Sequence, residues 1–103
     1  MTALEQAFTG ELLRRIAAAA ALGIPQPRLE AAVRKFGGAA CARRMLDRGQ
    51  ASDGFEALAA AGRLDLSLEA LAAEGKYGAL FTDDQVNACF AALCAAGYYA
   101  FGA

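Results

Sequence analysis

Three cysteines and a pair of adjacent aspartates are the residues of this 103-residue chain whose types could support a reaction. A cysteine attacks as a thiolate, which a neighbouring base or cation must stabilise. Apolar residues surround Cys41, Cys89 and Cys94, and the chain contains no histidine, the most common general base. We therefore predict buried free thiols and no nucleophilic active site.

Metal and phosphate chemistry finds equally little support in the spacing of these residues. No Cys-x-x-Cys pair is present, so a zinc site is not expected. Asp83–Asp84 could hold a cation together with Asp53 or Asp65, but two carboxylates in the first turn of a helix are typical of capping. Gly37–Gly38 lacks the lysine spacing of a phosphate-binding loop. We predict no catalytic residue, no metal and no cofactor, and we expect that the protein is not an enzyme.

The composition of the chain favours helices throughout, so helices must position any functional side chains. Hydrophobic residues make up 57% of the sequence, many of them alanine, and there are only two prolines. Leu4, Phe8, Leu12 and Ile16 recur every four residues, which is typical of a helix with one buried face. The sequence predicts an all-α fold, a compact bundle of about six short helices forming a single domain over residues 1–103.

Capping residues and glycines predict where these helices begin and end. Thr2–Glu5 and Thr82–Gln85 each have the pattern of a capping box. The predicted helices cover residues 3–22, Pro27 to the Gly37–Gly38 pair, 39–48, a cap at Ser52 or Asp53 to Gly62, a cap at Asp65 to Gly75, and Thr82 to Gly97. Lys76–Phe81 is predicted to be a turn with three large apolar anchors. The last helix shows the clearest apolar face, formed by Val86, Cys89, Phe90, Leu93 and Cys94.

The apolar stretch from Ile16 to Ile24 resembles the core of a signal peptide because two arginines precede it. It is too short to cross a bilayer. Glu5 and Glu11 lie upstream of it, and it continues the amphipathic pattern of the first helix, so we do not interpret it as a signal. We expect a cytoplasmic protein that does not enter a membrane.

From the paired glycines onward, the order of short motifs resembles a small helical module that recurs in bacterial and phage-related proteins of unknown function. The motifs are Gly37–Gly38, Arg43–Leu46, Ser52–Phe55, Gly62–Leu71, Leu80–Asp84 and Gly97–Tyr98. The resemblance implies a folding unit rather than an activity. It also implies a mobile-element context that would suit an inhibitor of a host defence complex, including an anti-CRISPR role against CRISPR–Cas.

The charges are divided unevenly along the chain. Residues 1–50 contain eight Lys and Arg against four Asp and Glu, whereas residues 51–103 contain two against seven. The predicted second and third helices, joined by a glycine turn, resemble a helix-turn-helix in outline. One hypothesis is therefore a DNA-binding regulator whose phosphate contacts come from Arg34, Lys35, Arg43, Arg44 and Arg48. The two halves of the chain could instead neutralise each other.

Aromatic residues at the C-terminus favour a different function. Tyr98, Tyr99 and Phe101 are candidate protein-binding anchors, because aromatic side chains dominate interface energies, although they could equally complete a thin core. The alanine-rich first helix could also pack against a second copy of itself to form a homodimer. We predict a non-catalytic adaptor or inhibitor that binds another, unidentified protein, with DNA binding as the alternative.

Overall fold

Helix α1 (Ala3–Ala21) begins at the predicted capping box. In the computed structural model, which describes residues 2–98, the Thr2 hydroxyl accepts a hydrogen bond from the Glu5 amide at 3.1 Å, and the Glu5 carboxylate accepts one from the Thr2 amide at 2.9 Å. The bond from the Thr2 amide is the largest cause that lowers the pKa of the Glu5 carboxyl. Phe8, Leu12 and Ile16 form the buried face of the helix, as their spacing predicts.

The described residues confirm an all-α fold with a radius of gyration of 12.7 Å. Helix α1 contacts α2, α3, α5 and both short 3-10 helices, so it lies at the centre of the bundle. No helix among residues 2–98 is both long and apolar enough to cross a membrane. The remaining elements are α2 (Pro27–Phe36), α3 (Gly38–Asp47), α4 (Phe55–Ala60), a 3-10 helix (Leu64–Leu66), α5 (Leu68–Ala72), a second 3-10 helix (Gly75–Leu80) and α6 (Asp83–Ala95).

Two groups of buried residues form the core. In the larger group, the Phe8 ring meets the rings of Tyr77 and Phe81 edge-on, at centroid distances of 5.2 and 5.4 Å. The predicted apolar turn thus supplies the partners of α1. The smaller group joins the end of α1 to α4 and α6 through residues such as Leu58 and Leu93, both fully buried.

The predicted caps of the two short helices are wrong. Gly54 precedes α4, and neither Ser52 nor Asp53 caps it, because the Ser52 hydroxyl donates to Glu69 and the Asp53 carboxylate accepts from the Arg28 amide. Ser67 caps α5 by accepting a hydrogen bond from the Ala70 amide at 3.1 Å. Asp65, the predicted cap, lies within the 3-10 helix Leu64–Leu66, so α5 begins later in the chain than predicted.

The apolar face predicted for α6 is too wide. The capping box at Thr82 and Gln85 is present, and Cys89 and Leu93 are fully buried. Phe90 is 39% exposed and Cys94 is exposed, which also corrects the prediction that every thiol is buried. The fully buried residues of α6, Cys89 and Leu93, lie four apart on the ridge that faces α5 and α3, and Val86 packs beside them as a partly buried residue.

The turn between α2 and α3 consists of the paired glycines. Gly37 has φ of +87°, a conformation that favours glycine, and its amide bonds the carbonyl of Val33 at 2.8 Å. Gly38 lies against α1, where its amide donates to the Thr9 hydroxyl at 2.9 Å. A Cβ at position 38 would lie 3.1 Å from the Phe8 ring and 3.2 Å from the Thr9 Cα. The turn therefore sets the distance between α3 and α1.

Replacing Gly38 by alanine is expected to lower the free energy of unfolding by about 1–3 kcal/mol, because the added methyl group overpacks the contact with α1. Urea unfolding followed by circular dichroism measures this change. The matched control is Gly10→Ala, since Gly10 lies within α1 with no neighbour near its Cβ position. This control should stabilise the protein by about 0.5–1 kcal/mol. Equal effects of the two substitutions would contradict the close approach at Gly38.

Candidate binding groove

A groove of about 1070 Å³ lies between α2 and α3 and extends to the loop that follows α3. Its floor is apolar and consists of Leu29 and Ala32 from α2 and Cys41 and Met45 from α3. Phe36 stands at the end of the groove near the glycine turn and is 52% exposed. An exposed ring beside an apolar floor is a feature of surfaces that bind a partner.

Three arginines line this groove with exposed side chains. Arg44 and Arg48 lie one turn apart along α3 and the residue that caps it, and Arg28 lies at the start of α2. Within residues 2–98, none of the three guanidinium groups forms a hydrogen bond or an ion pair. Their charge is therefore available to a ligand.

The other basic residues predicted to contact phosphate have partners inside the protein. Arg43 donates to the Leu80 carbonyl at 2.8 Å and lies 3.5 Å from the Glu5 carboxylate, so it ties α3 to α1 and to the second 3-10 helix. Arg34 pairs with Glu30 at 3.0 Å within α2. The Lys35 ammonium lies 5.1 Å from the centroid of the Phe36 ring. The structure thus brings Arg43, Arg44 and Arg48 to the groove and leaves Arg34 and Lys35 outside it.

Two carboxylates also line the groove, and each is bound within the fold. The Asp53 carboxylate accepts a hydrogen bond from the Arg28 amide at 3.1 Å, in the first turn of α2. The Asp47 carboxylate accepts one from the Gln85 side chain at 2.9 Å. Neither forms an ion pair with an arginine of the described residues, so the groove keeps an excess of positive charge.

A buried carboxylate holds the loop at the open end of the groove. Glu69 on α5 is 1% exposed, and it accepts hydrogen bonds from the Ser52 amide at 2.8 Å and the Ser52 hydroxyl at 2.6 Å. Burial raises the pKa of Glu69, and the bonds from Ser52 oppose that rise. Ala51 and Asp53, on either side of Ser52, line the groove. By binding Ser52, Glu69 therefore fixes the loop that forms the open end of the groove.

The environments of the thiols do not favour a reactive cysteine. Burial raises the pKa of Cys41, which lies in the floor of the groove, and the charge of Arg44 only partly opposes this. Burial, together with the charge of Glu69, raises the pKa of Cys89 to about 12. Both thiols are therefore protonated at neutral pH. Within residues 2–98, no three Cys, Asp or Glu side chains lie close enough together to hold a metal ion.

The aromatic anchors predicted at the C-terminus fall mainly beyond the described part of the chain. Tyr98 is 39% exposed and lines a shallow depression with Glu11 and Arg15 from α1. Tyr99 and Phe101 lie outside the described residues, so an interface through all three stays a prediction. The homodimer formed through α1 also stays a prediction.

Sequence reasoning missed Arg28 and Phe36 as members of the groove. Arg28 lies six residues before Arg34, the first of the predicted phosphate contacts, and a phenylalanine such as Phe36 is ordinarily expected in the core. The signal available was the seven-residue spacing of Leu29 and Phe36, which places them on one face of a helix. Only the packing of α2 against α3 shows that this face meets Arg44 and Arg48.

The raised pKa of Glu69 predicts how stability depends on pH. Because the folded protein binds this proton more tightly than the unfolded chain does, wild type should lose stability relative to Glu69→Gln as the pH rises from about 4.5 through the folded-state pKa. Urea unfolding of both proteins at a series of pH values measures the difference. A wild type that gains stability relative to the variant over this range would contradict the raised pKa.

Comparisons with known proteins do not extend this description. No protein-family model matches the chain. No match was found among curated proteins or among solved structures. The resemblance to a recurring bacterial and phage-related module therefore stays a prediction.

Proposed function

We propose that this protein is a non-catalytic binding protein whose groove between α2 and α3 takes up an acidic segment of another protein. The observation that carries this proposal is the set of three arginines without partners among residues 2–98, Arg28, Arg44 and Arg48, beside an open apolar floor. A surface that combines arginine, an aromatic ring and apolar area has the composition of a protein interface.

The energetics of the groove favour a ligand with both apolar and acidic parts. Phe36 and the half-buried Met45 gain free energy when a partner removes them from water. The arginines at the rim attract carboxylates, speed up the encounter and reject basic partners. A purely ionic ligand would leave the apolar floor of the groove exposed to water, and a purely apolar ligand would form no ion pairs with the arginines.

Binding of duplex DNA by a recognition helix has less support from the geometry. In a helix-turn-helix, the first residues of the second helix contact base edges in the major groove. The corresponding residues here, Gly38 and Ala39, are buried against the rest of the bundle. A single residue, Gly37, separates the two helices, where a helix-turn-helix has a turn of three or four. DNA binding through the basic residues stays a prediction.

An adaptor and an inhibitor would use such a groove in the same way, by binding a segment of the target protein in it. Inhibition of a host defence complex such as CRISPR–Cas is a specific form of this proposal, and it rests on the resemblance of the sequence motifs alone. The direct experiment is affinity capture from a lysate of the native host, with mass spectrometry of the proteins retained.

Charge reversal at the groove should separate specific capture from background. Arg44→Glu combined with Arg48→Glu is expected to weaken partner binding at least about tenfold, because both side chains contact the acidic segment in the complex. Neither has a partner among the described residues, so the helical circular dichroism should not change. The measurement is the retained amount of each captured protein, followed by titration of the purified partner.

The control is Arg14→Glu combined with Arg63→Glu, which changes the net charge by the same amount on another part of the surface. Their ion pairs, with Glu11 and Asp65, are exposed and contribute little to stability. A partner lost equally with both double variants would indicate a non-specific effect of net charge. No protein lost selectively with the groove variant would overturn the proposal.

Duplex DNA provides the second discriminating test. We expect no gel shift of a random duplex by micromolar protein at low salt, since the three unpartnered arginines would give a salt dependence of only about three phosphate contacts and the whole chain has a net charge of −1. Arg34→Glu combined with Lys35→Glu, which lie outside the groove, should leave protein capture intact. A shift that this variant abolishes would favour the DNA-binding alternative instead.

A further inference from the structure

We infer that the segment which occupies the groove is a short acidic amphipathic α-helix, bound with its apolar face on the floor and its carboxylates along the rim formed by α3. This inference rests on the proposed function and specifies the conformation and residue pattern of the partner. It follows from the backbone of the groove, from its length and from the spacing of its arginines.

The walls of the groove offer no backbone partners to an extended peptide. Both walls are α-helices, whose amide and carbonyl groups are bonded within each helix away from its ends, and residues 2–98 contain no β-strand whose edge a peptide could extend. An extended segment would lose the water bound to its backbone without gaining hydrogen bonds in return. A helix satisfies its own backbone and needs only a side-chain surface, as in other complexes that place a helix in a groove.

The length of the walls sets the length of the helix. Helices α2 and α3 contain ten residues each, which corresponds to about 15 Å at 1.5 Å per residue. A partner helix of about three turns would cover the floor from Phe36 to Arg28. Its apolar side chains must recur at i, i+3, i+4 and i+7 to face Leu29, Ala32 and Met45 together.

The arginines specify the acidic positions of the partner. Arg44 and Arg48 are four residues apart, so both project from one side of α3 at a separation of one helical turn. Two carboxylates at i and i+4 along one flank of a partner helix match this separation. Arg28 lies on the opposite wall at the open end of the groove and faces a third acidic position on the other flank.

A peptide-display selection tests this inference without knowledge of the natural partner. The probe is a random library of peptides of about 16 residues, long enough for roughly four helical turns. Selection on the wild-type protein follows removal of every peptide that binds the Arg44→Glu, Arg48→Glu variant. We expect the enriched peptides to carry acidic residues four apart beside apolar residues of helical period. A proline in the middle of such a peptide should weaken binding about a hundredfold.

The outcomes separate this inference from the proposed function. Enriched acidic peptides that alternate apolar and polar residues, or that tolerate a central proline, would overturn the helical occupant and leave an acidic segment in the groove. Failure to enrich any peptide that distinguishes wild type from the groove variant would overturn both.

Two thiols report where the selected peptide binds. Cys41 lies in the floor of the groove, whereas the exposed Cys94 lies on α6 and does not line it. The peptide should slow alkylation of Cys41 by iodoacetamide at mildly alkaline pH and leave the rate at Cys94 unchanged. Equal rates at Cys41 with and without bound peptide would place the peptide elsewhere and overturn the inference.

Discussion

The close approach of α3 to α1 at Gly38 is the contact on which the rest of the arrangement depends. The missing side chain lets α3 begin directly against Phe8 and Thr9, and the Phe8 ring in turn packs against the rings of Tyr77 and Phe81 in the larger group of buried residues. The absence of a side chain at Gly38 therefore lets α3 join the contact between α1 and the segment that contains Tyr77 and Phe81. Because Gly37 reverses the chain immediately before this contact, α2 packs beside α3 and the groove forms between them. The groove is a consequence of how the core is assembled.

A buried carboxylate fixes the position of the loop after α3, which lines the groove at the surface. Glu69 has no ion pair among the described residues, and the amide and hydroxyl of Ser52 both donate to its carboxylate. An unpaired buried carboxylate reduces stability, and a neutral side chain of similar shape would avoid that cost. What the carboxylate provides is geometry, since two hydrogen bonds to one residue fix the direction of the loop. The next residue, Asp53, then reaches the first turn of α2 and joins the two walls at their open end.

Local signals in the sequence predicted the local parts of this fold. The capping boxes at Thr2 and Thr82 depend on residues three apart, and both are present as expected. The roles of Ser52 and Asp53 could not be predicted in the same way, because their partners lie 17 and 25 residues away and a serine or aspartate before a helix ordinarily caps it. The excess width predicted for the face of α6 has a similar origin. Hydrophobicity shows which side chains are able to be buried, whereas the number of neighbouring helices decides which of them are. Arg43 and Arg44 are adjacent in sequence, yet one is bonded to the Leu80 carbonyl and the other is exposed in the groove.

The uneven distribution of charge along the chain had two interpretations, an interface or mutual neutralisation of the two halves, and the described residues contain elements of both. Arg15 is held by Glu11 and by Glu74 from the acidic half, and it also donates to the Asp65 carbonyl. Arg43 donates to the Leu80 carbonyl, whereas the carboxylate that pairs with it, Glu5, belongs to the basic half. These contacts use the basic residues that point toward the core of the bundle. Arg28, Arg44 and Arg48 line the groove with exposed side chains, and none of them forms an ion pair among residues 2–98. Positive charge therefore remains at the place where the packing of α2 and α3 also leaves apolar surface uncovered. A mutual neutralisation of the halves would account for the ion pair between Arg15 and Glu74, but it leaves the coincidence of charge and apolar surface in the groove without a role in stability.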